Sequence, residues 1–118
     1  MEVRDKLETV DKYVKAFDKA DIDIIKDIFA ADATVEDPVG TDIHKGIEAI
    51  CVFYDGALAS GAKLVTTGPP RCAGNSVAFP FQVTMPGMTI DIIDVFDFNE
   101  AGKVVSMKAY WGPENITA

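Results

Sequence analysis

The sequence predicts an α+β fold in which helices pack on one face of a curved sheet. Two observations carry that expectation. Apolar residues recur at helical spacing through the first half, and from Lys63 onward they alternate in runs separated by turn residues. Val3, Leu7, Val10, Val14 and Phe17 fall at i, i+4, i+7, i+11 and i+14, the stripe of an amphipathic first helix, with Tyr13 on its edge. Asp21 suits the N-cap of a second helix running through Ile24, Ile25, Ile28 and Phe29, because a carboxylate accepts from the free amides at the positive end of the helix dipole. These two helices should form a hairpin.

From Ala33 the period changes to two, so Ala33, Val35 and Asp37 share one side and Thr34 and Glu36 the other. Pro38 holds Asp37 extended and ends that strand. Residues 40–46 read as a loop, followed by a third helix through Ile47, Ile50, Tyr54 and Ala57 that stops near Ser60-Gly61. Strands are then expected over Lys63–Thr67, Arg71–Ala73, Ser76–Met85, Met88–Phe98 and Lys103–Trp111. Pro86-Gly87 and the stretch from Asn99 to Gly102 are short enough for antiparallel hairpins, whereas Pro80 inside its run predicts a bulge or an edge position.

A chain of 118 residues, 48% hydrophobic and 25% charged, fits one domain spanning 1–118. Such a domain folds without metal or disulfide staples. Cys51 and Cys72 lack metal-type spacing and can stay reduced, which suits a cytoplasmic protein. The N-terminus has no apolar signal-like core, and no run reaches the roughly 18 apolar residues of a membrane span, so a soluble, unexported protein is expected. Nineteen acidic residues against eleven basic ones give a net charge of −8. That charge repels phosphate backbones, and without a Lys/Arg cluster nucleic acid is not an expected partner.

The segment Ile90 to Phe98 carries the most chemical information. Alternation puts Ile90, Ile92, Asp94, Phe96 and Phe98 on one face, where Asp94 is the only polar side chain, while Asp91 and Asp97 point the other way. A carboxyl among isoleucines and phenylalanines is costly to ionise, so Asp94 is a candidate for a neutral acid that donates a hydrogen bond at pH 7. Asp37 also faces inward, but its polar neighbours and the turn at Pro38 suggest a rim position where it can ionise. Two inward carboxyls with different environments form a recognisable acid/base arrangement. The competing structural reading is that either aspartate caps backbone or pairs with a lysine. Tyr13 and Tyr54 lie on the core edges of separate helices and would matter only if their hydroxyls converge on Asp94. Met107 and Trp111 share a face with Val105 and Ala109, an apolar wall readable as core or as a ligand pocket. The single histidine, His44, sits in a polar loop, which argues against a His-based metal site or a Ser-His-Asp triad. No glycine-rich phosphate loop occurs.

These residues resemble a family. Ala33-Thr34-Val35-Glu36-Asp37-Pro38-Val39-Gly40, Ile93-Asp94 and Ala101-Gly102-Lys103-Val104-Val105-Ser106-Met107 are similar to bacterial ketosteroid isomerase, the steroid Δ5-isomerase of the nuclear-transport-factor-like and SnoaL-like superfamily. Lys12-Tyr13-Val14, Phe53-Tyr54 and the closing Trp111 to Ile116 extend the likeness over nearly the whole chain. The resemblance implies a conical barrel of curved mixed or antiparallel sheet with the N-terminal helices on its concave face. It further implies a cofactor-free, metal-free isomerase of small apolar 3-ketosteroids, working as a homodimer. By the same likeness Asp37 is the general base, Tyr13 and Asp94 donate to an oxyanion, and Tyr54 supports Tyr13. Trp111 lines the pocket near Asp37, with Met107, Phe29 and Phe79 in the substrate wall or behind it. Phe29 stands where some members carry a further tyrosine, which shortens the hydrogen-bond chain. The fold also serves polyketide cyclases, epoxide hydrolases and plain binding modules, so the fold alone does not choose among them.

Overall fold

A computed structural model describes residues 1–118. The chain runs α1 (Val3–Lys19), α2 (Ile22–Ile28), β1 (Phe29–Glu36), β2 (His44–Lys45), α3 (Ile47–Ala59), β3 (Lys63–Thr66), β4 (Arg71–Ala73), β5 (Ser76–Met85), β6 (Met88–Phe98) and β7 (Val104–Tyr110). A single 3₁₀ turn, Pro113–Asn115, then leads into β8 (Ile116–Thr117). The sheet has the order β2-β1-β7-β6-β5-β3, with β4 against β5 and β8 against β6. Only β1 and β7 pair in parallel, so the sheet is mixed. Register slips between Asp97 and Phe98 on β6, and between Phe29 and Thr34 on β1, are the irregularities that bend long strands. The three helices cover the concave side of this cone, as the α+β reading expects.

The first helix buries a face rotated from the predicted stripe. Val3 is exposed, and the buried residues are Lys6, Thr9, Val10, Tyr13, Ala16 and Phe17. Lys6 can lie there because its Nζ donates to the Gly74 carbonyl at 2.6 Å while its stem packs against apolar neighbours. The rotation moves Tyr13 from the edge to the middle of the buried face, only 2% exposed.

Asp21 caps α2 as expected, accepting from the Asp23 amide at 3.0 Å. The helix ends one residue before the expected Phe29, which is already extended and opens β1 four positions ahead of Ala33. The early part of β1 hides from a periodicity reading because Phe29 and Ala30 are both buried and Ala31 and Asp32 both exposed. Alternation starts only past the slip in register. The strands β2 and β8 are two residues each and carry no period to detect.

Turn chemistry performs as the sequence implies. Gly87, with φ of 76°, closes the β5–β6 hairpin between Met85 and Met88. Pro80 sits where the neighbour of β5 changes from β4, paired up to Ala78, to β3, paired from Phe81 onward. Its carbonyl accepts from Thr67, so its missing N–H falls at that break, a local edge inside a long strand. No helix is long and apolar enough to cross a membrane.

Candidate active site

Four elements deliver polar groups to the concave side. The middle of α1 supplies Tyr13 and the middle of α3 supplies Tyr54. Asp37 follows directly on β1, and β6 supplies Asp94. Trp111 follows directly on β7.

Asp94 stands opposite Phe79 of β5 and Ala109 of β7, and is 1% exposed. Neither of its carboxyl oxygens has a hydrogen-bond partner. Buried polar atoms left unpaired are rare, and an ionised carboxylate would be the costliest occupant of such a position. Burial pushes the Asp94 carboxyl well above the usual carboxylate range, and the charge of Asp37 pushes it further. The nearby Tyr13 hydroxyl opposes this without closing a hydrogen bond. Such surroundings favour the neutral acid, whose O–H is a hydrogen-bond donor, over the carboxylate.

Tyr13 and Tyr54 share a hydrogen bond of 2.9 Å between their hydroxyls. Burial holds both phenols well above their ordinary range. Both therefore keep their protons at neutral pH. With Phe29 packed on Tyr54 at 5.7 Å between ring centroids, no third hydroxyl joins from that side. When Tyr54 donates to Tyr13, the Tyr13 proton is left for another acceptor.

Asp37 is half-buried, and its Oδ1 accepts from Trp111 Nε1 at 2.8 Å. Burial raises its carboxyl above the ordinary value, while the Trp111 bond and the charge of His44 pull it down. The two aspartates are thus pushed up unequally, Asp94 by far the more.

A cavity of about 220 Å³ runs between helices and sheet, lined by 15 residues, 13 of them hydrophobic. Tyr13, Tyr54, Asp37 and Trp111 line it together. Asp94 is the next inward residue along β6 after Ile92, which is in the wall, but is not itself part of the lining. Asp94 is closed off from solvent, whereas Asp37 is part of the cavity lining. Phe29, Phe79 and Met107 are buried behind the cavity and do not line it.

The rest of the wall is Phe17, Phe53, Leu64, Phe81, Val83, Met85, Ile90 and Ile92, with Ala57, Ser60 and Ala62. Of the expected pocket residues Tyr54 and Trp111 line the cavity and Phe29, Phe79 and Met107 back it, while these further wall residues went unnamed in the sequence reading. The alternation that exposes Asp94 runs on to Ile92 and Ile90, and that of Phe79 runs on to Phe81, Val83 and Met85. Which end opens depends on where α1 and α3 cross the strands, and no local pattern encodes that crossing. No group of three or more His, Cys, Asp or Glu side chains is placed to hold a metal ion.

The arrangement offers two neutral donors and one ionisable acceptor around an apolar space, suited to abstracting a proton from carbon while an oxygen gains charge. It also has a stability signature. A carboxyl whose folded pKa is raised binds a proton in the folded state that the unfolded chain has released. The folded state is then favoured below the unfolded value of about 3.9 and loses that advantage as pH rises toward the folded value. Asp94→Asn removes the penalty. In thermal melts at pH 5 and pH 8, its stability relative to the parent is expected to rise with pH, and a pH-independent difference would contradict a raised Asp94 pKa.

Residues 10–107 match the family model described as a SnoaL-like domain. A protein named Steroid Delta-isomerase from Nocardioides simplex is 42% identical over 94 residues, covering 75% of this chain and 75% of that protein. Among solved structures, one reported for the role of the epoxide hydrolase/cyclase-like enzyme SalBIII in pyran ring formation in the polyether salinomycin is similar, with a TM-score of 0.90 and 28% identity. That likeness covers 98% of this chain and 96% of the other.

Proposed function

The chain belongs to the SnoaL-like domain family, and from that premise we propose that it converts 3-oxo-Δ5-steroids to 3-oxo-Δ4-steroids. It is an isomerase, and the substrate and the residue roles are our reading. The observation that carries this reading is the buried, unpartnered Asp94 carboxyl, next inward along β6 from a wall that presents Tyr13 and Asp37 to one apolar cavity.

The Asp37 carboxylate removes the proton next to the carbonyl. The electron pair moves onto oxygen to give a dienolate, and the same proton returns two carbons along the conjugated chain. Nothing is consumed, so no cofactor is required. A carboxylate whose pKa is raised by burial is a better proton acceptor than an ordinary aspartate. The developing oxyanion accepts from the Tyr13 hydroxyl and from neutral Asp94. Both donors are already fixed and dry, so no solvent has to reorganise as charge appears. Tyr54 holds the Tyr13 oxygen, and Trp111 holds one Asp37 oxygen, leaving Oδ2 to shuttle the proton.

The likeness to an epoxide hydrolase/cyclase-like enzyme favours a second reading, a ring closure on a polyketide-type substrate held in the same cavity. One experiment separates the two. Addition of a Δ5-3-ketosteroid to the purified chain is expected to produce the ultraviolet absorbance of a conjugated enone at a rate proportional to protein concentration. No growth above the uncatalysed rate, with the steroid shown to be bound, would remove the steroid reading.

A further inference from the structure

The mechanism leaves one titratable side chain at the site without a role, His44, the only histidine of the chain. It belongs to β2 and pairs with Val35 of β1. Residues directly opposite in an antiparallel ladder project to the same face, so the imidazole rises on the side occupied by Val35 and, two positions further on, Asp37. There its ring packs on Phe53 of α3, centroids 4.5 Å apart and planes inclined by 31°. Phe53 is part of the cavity wall that also contains Asp37. The imidazole is half-buried, where a charge acts through a medium less screening than bulk water.

The other groups around Asp37 cannot supply a cation. Asp94, Tyr13 and Tyr54 are acids, and Trp111 offers a neutral N–H. Glu36 points to the other side of β1 and accepts the Gly40 amide at 2.9 Å. Lys45 pairs with Thr34, and Lys108 of β7 pairs with Glu36, both exposed on the opposite face. The charged residues of α3, Glu48 and Asp55, are acidic and exposed. A positive charge on His44 opposes the burial that pushes the Asp37 carboxyl up.

We propose that His44 is a positioning residue for Asp37, a ring packed against Phe53 so that a positive charge on the imidazole bears on the carboxylate and lowers the pH at which the base is lost. The proposal rests on Asp37 being the base of the reaction above. Its sign is fixed: protonating the imidazole makes the neighbouring carboxylate harder to protonate. The acidic limb of the activity profile then lies at lower pH than it would beside a neutral ring.

Two variants test it. His44→Phe keeps a ring against Phe53 and deletes the charge, whereas His44→Arg keeps a planar cation that also stacks on aromatics. The acidic limb of kcat/KM, which reports the free enzyme, is expected to move up by about half a pH unit in His44→Phe, roughly a threefold loss on that limb. In His44→Arg it should lie at or below its original position. The carboxyl ¹³C titration of Asp37, read by NMR, should follow the same order. That measurement needs no turnover, so an inactive protein would sink the reaction assignment and still report the coupling. Coincident Asp37 midpoints in the parent and His44→Phe would overturn the proposal. If His44→Phe fails to fold, a His44→Arg midpoint above that of the parent overturns it instead.

Discussion

Asp37→Asn is expected to lower turnover of a 3-oxo-Δ5-steroid by on the order of 10²–10⁴-fold, the usual contribution of a positioned general base. The substitution is nearly isosteric and keeps an oxygen to accept from Trp111 Nε1, so the cavity and the Trp111 contact survive. What disappears is the only group in the wall able to ionise and take a proton from carbon near neutral pH. His44, the only histidine of the chain, packs on Phe53 and does not line the cavity. Binding of a phenol that mimics the dienolate needs only the donors and should persist. The check is steady-state turnover beside equilibrium binding of such a phenol. Retention of most of the turnover would remove Asp37 from the role of base.

Tyr13→Phe is expected to reduce kcat by on the order of 10²–10³-fold, the loss typical of deleting one oxyanion donor. Tyr13 is the donor presented directly in the cavity wall, and its oxygen is held at 2.9 Å by Tyr54. A phenylalanine preserves the edge-to-face packing on Phe17, Phe79 and Phe96, at centroid distances of 5.4, 6.0 and 5.2 Å, so folding should be little affected. It also strands the Tyr54 hydroxyl, which has no other protein partner. Asp94→Asn should be the milder change, because an amide still donates and no charge is removed from a neutral acid. Single-turnover rates of the three variants give the order Asp37→Asn most damaging, then Tyr13→Phe, then Asp94→Asn. A Tyr13→Phe protein with unchanged kcat would mean that the oxyanion is stabilised elsewhere.

Particular residues show how far the sequence alone carries these assignments. Asp94 was legible because strand alternation isolates a single carboxyl on an apolar face, and nothing about that inference depends on the rest of the fold. Asp37 was legible from the same alternation and from Pro38, which forbids a helical continuation. Tyr13 was placed only at the edge of a stripe, because buried Lys6 disguises the face that α1 turns inward. Hydropathy cannot know that a lysine will find the Gly74 carbonyl 68 positions away. The start of β1 was read as helix because Phe29 follows a helical run and the register slip erases the alternation after it. Phe81, Val83, Met85, Ile90 and Ile92 are not distinguishable in the sequence from Phe79 and Met107, since every inward residue of a strand looks alike until the crossing helices decide which end stays open. His44 read as a loop residue, since two residues of β2 are too few to reveal which face the ring would take.

The proposed chemistry needs one carboxyl, that of Asp94, to be uncharged at neutral pH. Infrared difference spectroscopy of the parent against Asp94→Asn at pH 7 tests this without substrate. A carbonyl band of a protonated carboxylic acid is expected in the parent and is expected to be missing from the variant. A carboxylate band in its place would mean that Asp94 is ionised, and the oxyanion donor assigned to it would be lost.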